Sequence, residues 1–324
     1  MTVRVAVAMA LYEPNPQFLR LQLDSLRAQE GVEWVAHVVD DGSSDTSFAS
    51  SERLVAGDPR IVLHRSPENR GSVATFSRAL ALAAAEDADA VALADQDDIW
   101  HPERLLAGAS ALGPDVALVH SDLRLVDAYG VVVADSVWAR ERRWTETDVR
   151  RTVFRNSVTG CTVTVRPDVL TLALPVPAGG RPAAYHHDAW LALHALRLGR
   201  VVGLDRPLVD YRTHGENVVG VSRTGLVDVV TSRSRSVVAA LDGSVRVKQR
   251  LATDFLQRVQ EHPLRPKEAE RLEQELAPFL GRATLADQRG LWAETAGNTD
   301  LRRRLLQWWG GLAASRVPGR RRRG

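Results

Sequence analysis

Apolar and polar positions along the first third of the chain switch repeatedly between a strand period and a helix period. Residues 3–10 form an apolar run that predicts a strand. Pro16 then opens a stretch in which Phe18, Leu19, Leu21, Leu23 and Leu26 give a helix with a broad apolar face. Residues 34–39 predict a second strand, followed by Asp40-Asp41-Gly42-Ser43-Ser44-Asp45, and residues 61–63 a third. Residues 72–85 predict a helix with Val73, Phe76, Leu80 and Ala83 on one side. Residues 90–94, Ala-Val-Ala-Leu-Ala, predict a short buried strand. Such alternation predicts an α/β fold, a mostly parallel sheet between helices.

The middle third is more mixed. Residues 116–120 predict a strand, and 123–126 with 131–134 flank Gly130 as a hairpin. Residues 162–165 predict a strand and 185–198 a helix with Trp190, Leu191, Leu193 and Leu196 on its apolar side. Residues 201–204 and 208–211 predict two short strands. Strand signals then largely stop. Residues 226–314 predict helices, with breaks at Asp242-Gly243, His262-Pro263, Pro278 and Gly297-Asn298. This divides the chain into 1–221 and a helical C-terminal extension, 222–324.

Composition narrows the function classes. A hydrophobic content of 44% and a charged content of 25% in 324 residues suit a globular chain with a sizeable core. The net charge is only +2, much of the basic excess lies near the C-terminus, and no nucleic-acid partner is expected. A single cysteine, Cys161, excludes an internal disulfide and a cysteine-built zinc site. The N-terminus runs straight into a strand pattern, and no apolar run approaches the ~18 residues of a spanning helix. The expected location is cytoplasmic or peripheral on the inner face of the cell membrane.

The chemistry concentrates at residues 93–100, Leu-Ala-Asp-Gln-Asp-Asp-Ile-Trp. Asp95, Asp97 and Asp98 follow the end of a buried strand, where ligands bind in α/β proteins. Clustered carboxylates repel one another, and a hard divalent cation neutralises them. An acidic turn capping the next helix is the bland alternative. After the first strand, Ala10-Leu11-Tyr12-Glu13-Pro14-Asn15 stands where a dinucleotide fold carries G-x-G-x-x-G, so an NAD or FAD site is not expected.

Seven segments, in order, resemble the inverting family 2 glycosyltransferases of the GT-A fold, and among them the bacterial rhamnosyltransferase-like branch. They are Met9-Ala10-Leu11-Tyr12, Asp40 to Asp45, Asn69-Arg70-Gly71, Asp95 to Trp100, Thr159-Gly160-Cys161-Thr162, His187-Asp188-Ala189-Trp190 and Tyr211 to Asn217. The resemblance covers about residues 3–221 and implies a GT-A nucleotide-sugar-binding domain.

It also implies a transfer of sugar, rhamnose or a related deoxysugar, from a dTDP- or UDP-linked donor to a glycan or lipid-linked acceptor, as in cell-surface polysaccharide synthesis. On this resemblance Ala10, Tyr12, Asp40, Asp41, Arg70 and Asp95 bind the nucleotide-sugar. Asp97 and His214 belong to a site for Mg²⁺ or Mn²⁺, and Asp188 is the general base. Thr159, Gly160, His187 and Trp190 line the acceptor side. Physical readings run beside these. Tyr12 suits stacking on a base. Asp40 and Asp41 suit a base N–H or a turn and helix cap. Asp188 suits either a base or a cap, and Trp190 either a sugar floor or the core. Cys161 reads as a packing residue.

Two other classes remain open at this point. A sugar-phosphate nucleotidyltransferase would add a Gly-rich phosphate loop and a nearby lysine, which the chain lacks. A catalytically dead membrane- or nucleic-acid-binding protein would use the C-terminus. There Leu301, Leu305, Trp308 and Trp309 lie beside Arg302, Arg303 and Arg304, a pattern for docking on an anionic membrane surface or for packing on the protein.

Overall fold

The computed structural model describes residues 2–141, 143–177, 186–213 and 234–280, with side chains for all of these except 234–245. The chain divides into two compact units. One comprises Met1–Asp148 with Ser157–Asn217, the other Val149–Asn156 with Val218–Gly324.

In the first unit the expected alternation is present. Strand β1 (Val3–Leu11) leads into helix α1 (Pro16–Arg27), whose first turn is capped by Asn15 accepting from the amides of Gln17 and Phe18. Then follow β2 (Val32–Asp40), α2 (Asp45–Val55), β3 (Ile61–Arg65), α3 (Ser72–Ala84) and β4 (Ala90–Ala94). All five β4 residues are buried, as its unbroken apolar run requires. Continuing along the chain are β5 (Ile99–Trp100), α4 (Arg104–Ala111), β6 (Val116–Val126), β7 (Val132–Ala134), α5 (Val137–Glu141), α6 (Val149–Phe154), β8 (Thr164–Val165), α7 (Pro167–Ala173), α8 (His187–Leu198) and β9 (Arg200–Arg212). Of these, α6 belongs to the second unit.

Among the described residues the sheet runs β3-β2-β1-β4-β8-β6-β9-β5, with β7 hydrogen-bonded to β6. The block β3-β2-β1-β4 is parallel throughout. The two-residue β8 is antiparallel to both β4 and β6, so the sheet is mixed. Register places Leu11 opposite Asp40 and Met9 opposite Ala94. The loops after β1, β2 and β4 therefore leave from one edge.

Several elements differ from the periodicity reading. Residues 116–126 form one strand instead of two, because the polar pair Ser121-Asp122 at its middle is buried and satisfied. Asp122 accepts from the amides of Leu123 and Trp138 and from the Ser136 hydroxyl. The two short strands expected at 201–211 are one strand, β9. Its register against β6 jumps from Ser121↔Leu204 to Asp122↔Pro207, so Asp205 and Arg206 are absorbed as a bulge. Strand β5 and helices α2, α5, α6 and α7 lack a sufficient period in the sequence to be predicted.

In the second unit, α6 packs against α9 (Ser234–Glu261) and α10 (Glu268–Leu276). Val153, Phe255, Val259, Leu272 and Leu276 are buried in it. Helix α9 runs through Asp242-Gly243 without the break expected there. No helix among the described residues is long and apolar enough to cross a membrane. The boundary at 221, His214 and the arginine- and tryptophan-rich C-terminus lie outside the described residues.

Candidate active site

The parallel block delivers Ala10 and Tyr12, Asp40 and Asp41, Arg70, and Asp95 to Asp98 to the C-terminal edge of the sheet. Ala10, opposite Val39, is half-buried at this edge. Tyr12 is 50% exposed, an unusual state for a tyrosine beside a sheet core. The chain beyond it is tied down on two sides. Gln96 accepts from the Tyr12 amide at 2.9 Å and donates to the Tyr12 carbonyl at 3.3 Å. Glu13 takes a positive φ of 41°. Its amide donates to the Ser43 hydroxyl, and its carboxylate accepts from the amide and hydroxyl of Ser44. A glutamate is costly in this left-handed conformation, and those three bonds offset the strain.

The two aspartates after β2 divide their work. Asp40 is 0% exposed, and its Oδ1 accepts from the Ser43 amide to close the turn. Asp41 accepts from the amides of Arg70 and Gly71 at 2.9 and 2.8 Å. Gly71 has φ 89°, which favours glycine, at the turn that leads into α3. The Arg70 side chain is exposed and meets Glu68.

Asp95 and Asp97 are half-buried at the end of β4, whereas Asp98 is fully buried. Burial, then Asp97 and Asp188, push the Asp95 carboxyl up to about 7. Burial first, then Asp97 and Asp95, also hold Asp98 well above the usual carboxylate range. Asp98 accepts from the Arg212 amide at 3.2 Å and pairs with the Cys161 thiol. That thiol is itself raised by burial and by its acidic neighbours.

Asp95, Asp98 and Cys161 can bring ligand atoms within 4.8 Å of one another. A protonated thiol and an internally bonded carboxylate suit Mg²⁺ or Mn²⁺ poorly, since these ions want oxygen ligands and keep open positions for phosphate. Asp95 and Asp97 offer carboxylate oxygens, the donor type such ions take. Asp98 is the inner tether of the acidic loop, the role that spacing alone could not give it.

Two buried arginines hold this loop. Arg104 donates through one nitrogen to the carbonyls of Leu93, Cys161 and Val163 and lies over the Trp100 ring; burial lowers it to about 9. Arg212 donates to the carbonyls of Asp97, Asp127 and Ala128. Tyr211, beside Asp95 and Asp98, has its hydroxyl raised by burial and by those charges.

The segments assigned to the acceptor side also converge. Thr159 accepts from Arg143 at 2.6 Å, and Gly160 faces the ring of His187. His187 is buried, stacked on Phe76 at 3.9 Å, and pushed down to about 3 mainly by burial. Asp188, in the first turn of α8, is half-buried and accepts from the Ala189 amide at 2.6 Å. Burial raises it, against His186, the Ala189 amide and Arg143, which pull it down.

Trp190 is a correction. It is 0% exposed, and its indole N–H donates to the Ala173 carbonyl at 2.6 Å, so it belongs to the core and cannot floor a sugar. Arg104 and Arg143 escaped the sequence reading, and Gln96 and Tyr211 stood in recognised segments without a role. Gln96 sat inside the acidic motif as a spacer, and Tyr211 at the start of the segment in which β9 ends. Arg104 and Arg143 carry no local pattern, being brought in by α4 and the loop before α6.

Residues 7–165 match the glycosyl transferase family 2 domain. This part of the chain belongs to glycosyl transferase family 2. The match over these residues favours the glycosyltransferase reading over the nucleotidyltransferase one.

The fold is that of GT-A glycosyltransferases. The S. aureus TarS fragment 1-349 in complex with UDP-GlcNAc has a TM-score of 0.57 and 17% identity over 96% of this chain and 80% of that chain. The same fragment with UDP gives 0.55 and 17% over the same shares. An uncharacterized protein of Sinorhizobium fredii, y4gI, is 30% identical over 122 residues, 36% of this chain. This chain spans about 13% of that relative's length.

Proposed function

We propose that the protein is an inverting, metal-dependent glycosyltransferase with a nucleoside-diphosphate sugar donor. The observation that carries this is the approach of Asp188 to Asp95, close enough for the charge of one to raise the other. A carboxylate on α8 thus shares a site with the acidic loop of β4. In the proposed reaction Asp188 takes the proton of an acceptor hydroxyl as that oxygen attacks the anomeric carbon. The bond to the nucleoside diphosphate breaks on the opposite face, which inverts the centre without a covalent intermediate. Burial makes Asp188 a stronger base than a free aspartate, while Arg143 and the Ala189 amide favour its ionised form.

Asp95 and Asp97 would hold Mg²⁺ or Mn²⁺, their mutual repulsion being what a cation relieves. Such an ion would supply positive charge against the leaving diphosphate. Tyr12 would stack on the base, with Asp41 and Arg70 beside it. His214 is retained as a further member of the metal site, and Thr159, Gly160 and His187 as the wall toward the acceptor. The resemblance favours a dTDP- or UDP-linked deoxysugar such as rhamnose and a glycan or lipid-linked acceptor. The binding of UDP-GlcNAc by TarS adds that donor to the panel. Docking of the C-terminus on an anionic membrane belongs to the same proposal.

The test is thermal stabilisation, then release of nucleoside diphosphate, with a panel of UDP-, dTDP- and GDP-sugars, each with Mn²⁺, Mg²⁺ or chelator. One or two donors should stabilise the chain only with metal. Equal stabilisation with chelator would defeat the metal reading, and no stabilisation by any donor would defeat the donor reading.

A further inference from the structure

Gln96 stands between the two carboxylates proposed to hold the cation, yet its side chain turns away from them to the loop after β1. It meets the Tyr12 peptide twice, accepting from its N–H at 2.9 Å and donating to its C=O at 3.3 Å. A side-chain amide here does what a neighbouring strand would do, matching one donor and one acceptor of a single residue. Aspartate, glutamate, serine or arginine at this position could not make both bonds with such reach and without charge. On the other side Glu13 fastens the next peptide to Ser43 and Ser44, after β2. Tyr12 is thus the half-exposed crest of a turn held from both flanks, which fixes the point and direction from which its side chain leaves the backbone.

From this geometry we infer that Gln96 is a positioning residue, one that sets the Tyr12 ring against the donor base using the acidic loop as its anchor. Base recognition and the diphosphate end of the site are then linked through one side chain. Gln96 shares its backbone with Asp95 and Asp97 and its side-chain amide with Tyr12. The inference rests on the proposed donor site and adds to it a residue that touches neither sugar nor metal.

The test uses the full chain, calorimetric titration with Mn²⁺ present, and three probes: UDP, dTDP and inorganic pyrophosphate. Gln96→Ala should weaken whichever nucleoside diphosphate the wild type binds by roughly five- to tenfold, the scale of one freed, formerly ordered side chain. Pyrophosphate affinity should stay unchanged. In a Tyr12→Ala background, where no ring needs positioning, Gln96→Ala should add little. Steady-state assays should show the loss in KM with kcat retained. Unchanged nucleoside diphosphate affinity, additive losses, or an equal loss for pyrophosphate would overturn the inference, the last by making Gln96 a mere support of the acidic loop. A wild-type chain that binds neither nucleoside diphosphate would overturn it together with the donor site beneath it, and that result is read before any variant is made.

Discussion

A Cβ placed on Gly160 would stand 2.7 Å from Nε2 of His187. The methyl would meet the ring at its Nε2 edge, while a face of the same ring is stacked on Phe76 at 3.9 Å, so the ring has little room to shift. Gly160→Ala should therefore displace the ring along its own plane over Phe76 and cost about 1–3 kcal/mol, the usual range for overpacking a core. Chemical denaturation measures it. Combining it with His187→Ala should recover most of the loss caused by the added methyl, compared with His187→Ala alone. Full additivity of the two changes would mean that the contact is not where the strain lies.

Asp188→Asn keeps the shape of the side chain and removes its basicity. Donor binding should persist, and transfer should fall by roughly a hundredfold or more, since general-base catalysis contributes on the order of 10²–10⁴. Calorimetry with the donor and a transfer assay read the two separately. Transfer at near wild-type rate would leave Asp188 as a helix N-terminal residue and nothing more.

His120 and His187 are both pushed down to about 3, by burial above all. Between about 6.5 and 3 the unfolded chain binds protons that the native state refuses, so stability contributed by these rings is lost as pH falls through that window. Asp95, raised to about 7, acts in the opposite direction over part of the same range. The difference between variants is therefore the informative quantity. His120→Gln and His187→Gln should each show a shallower fall in melting temperature from pH 7 to pH 4 than the wild type. Parallel profiles would show that the rings accept protons without unfolding.

Arg212→Lys retains the charge and forfeits the fork that reaches Asp97, Asp127 and Ala128. Buried carbonyls left without a donor cost about 1–3 kcal/mol each, partly regained by water. A net loss of about 2–4 kcal/mol in denaturant unfolding is expected. A loss below about 1 kcal/mol would indicate that water enters the gap.

The sequence by itself determined the alternation that builds β3-β2-β1-β4, and with it the edge at which the acidic loop and Tyr12 emerge. The reason is that the four strands and helices α1 and α3, though not α2, each have an apolar period or unbroken apolar run, and parallel connection through helices fixes which strand ends lie together. It also determined where carboxylates cluster, since Asp95 to Asp98 directly follow a buried run. Tertiary structure alone decided which carboxylate does what. Asp98 and Asp97 are adjacent in sequence, yet Asp98 turns inward to the Arg212 amide while Asp97 remains half-buried. Trp190 fits a sugar floor and a core equally well by spacing, and only packing beneath α8 settled it as core. Arg104, Arg143, Tyr211 and Arg212 reach the site from far along the chain, and no local period can record a partner that distant. Burial then sets their charges and those of their neighbours, and burial is a property of the folded molecule.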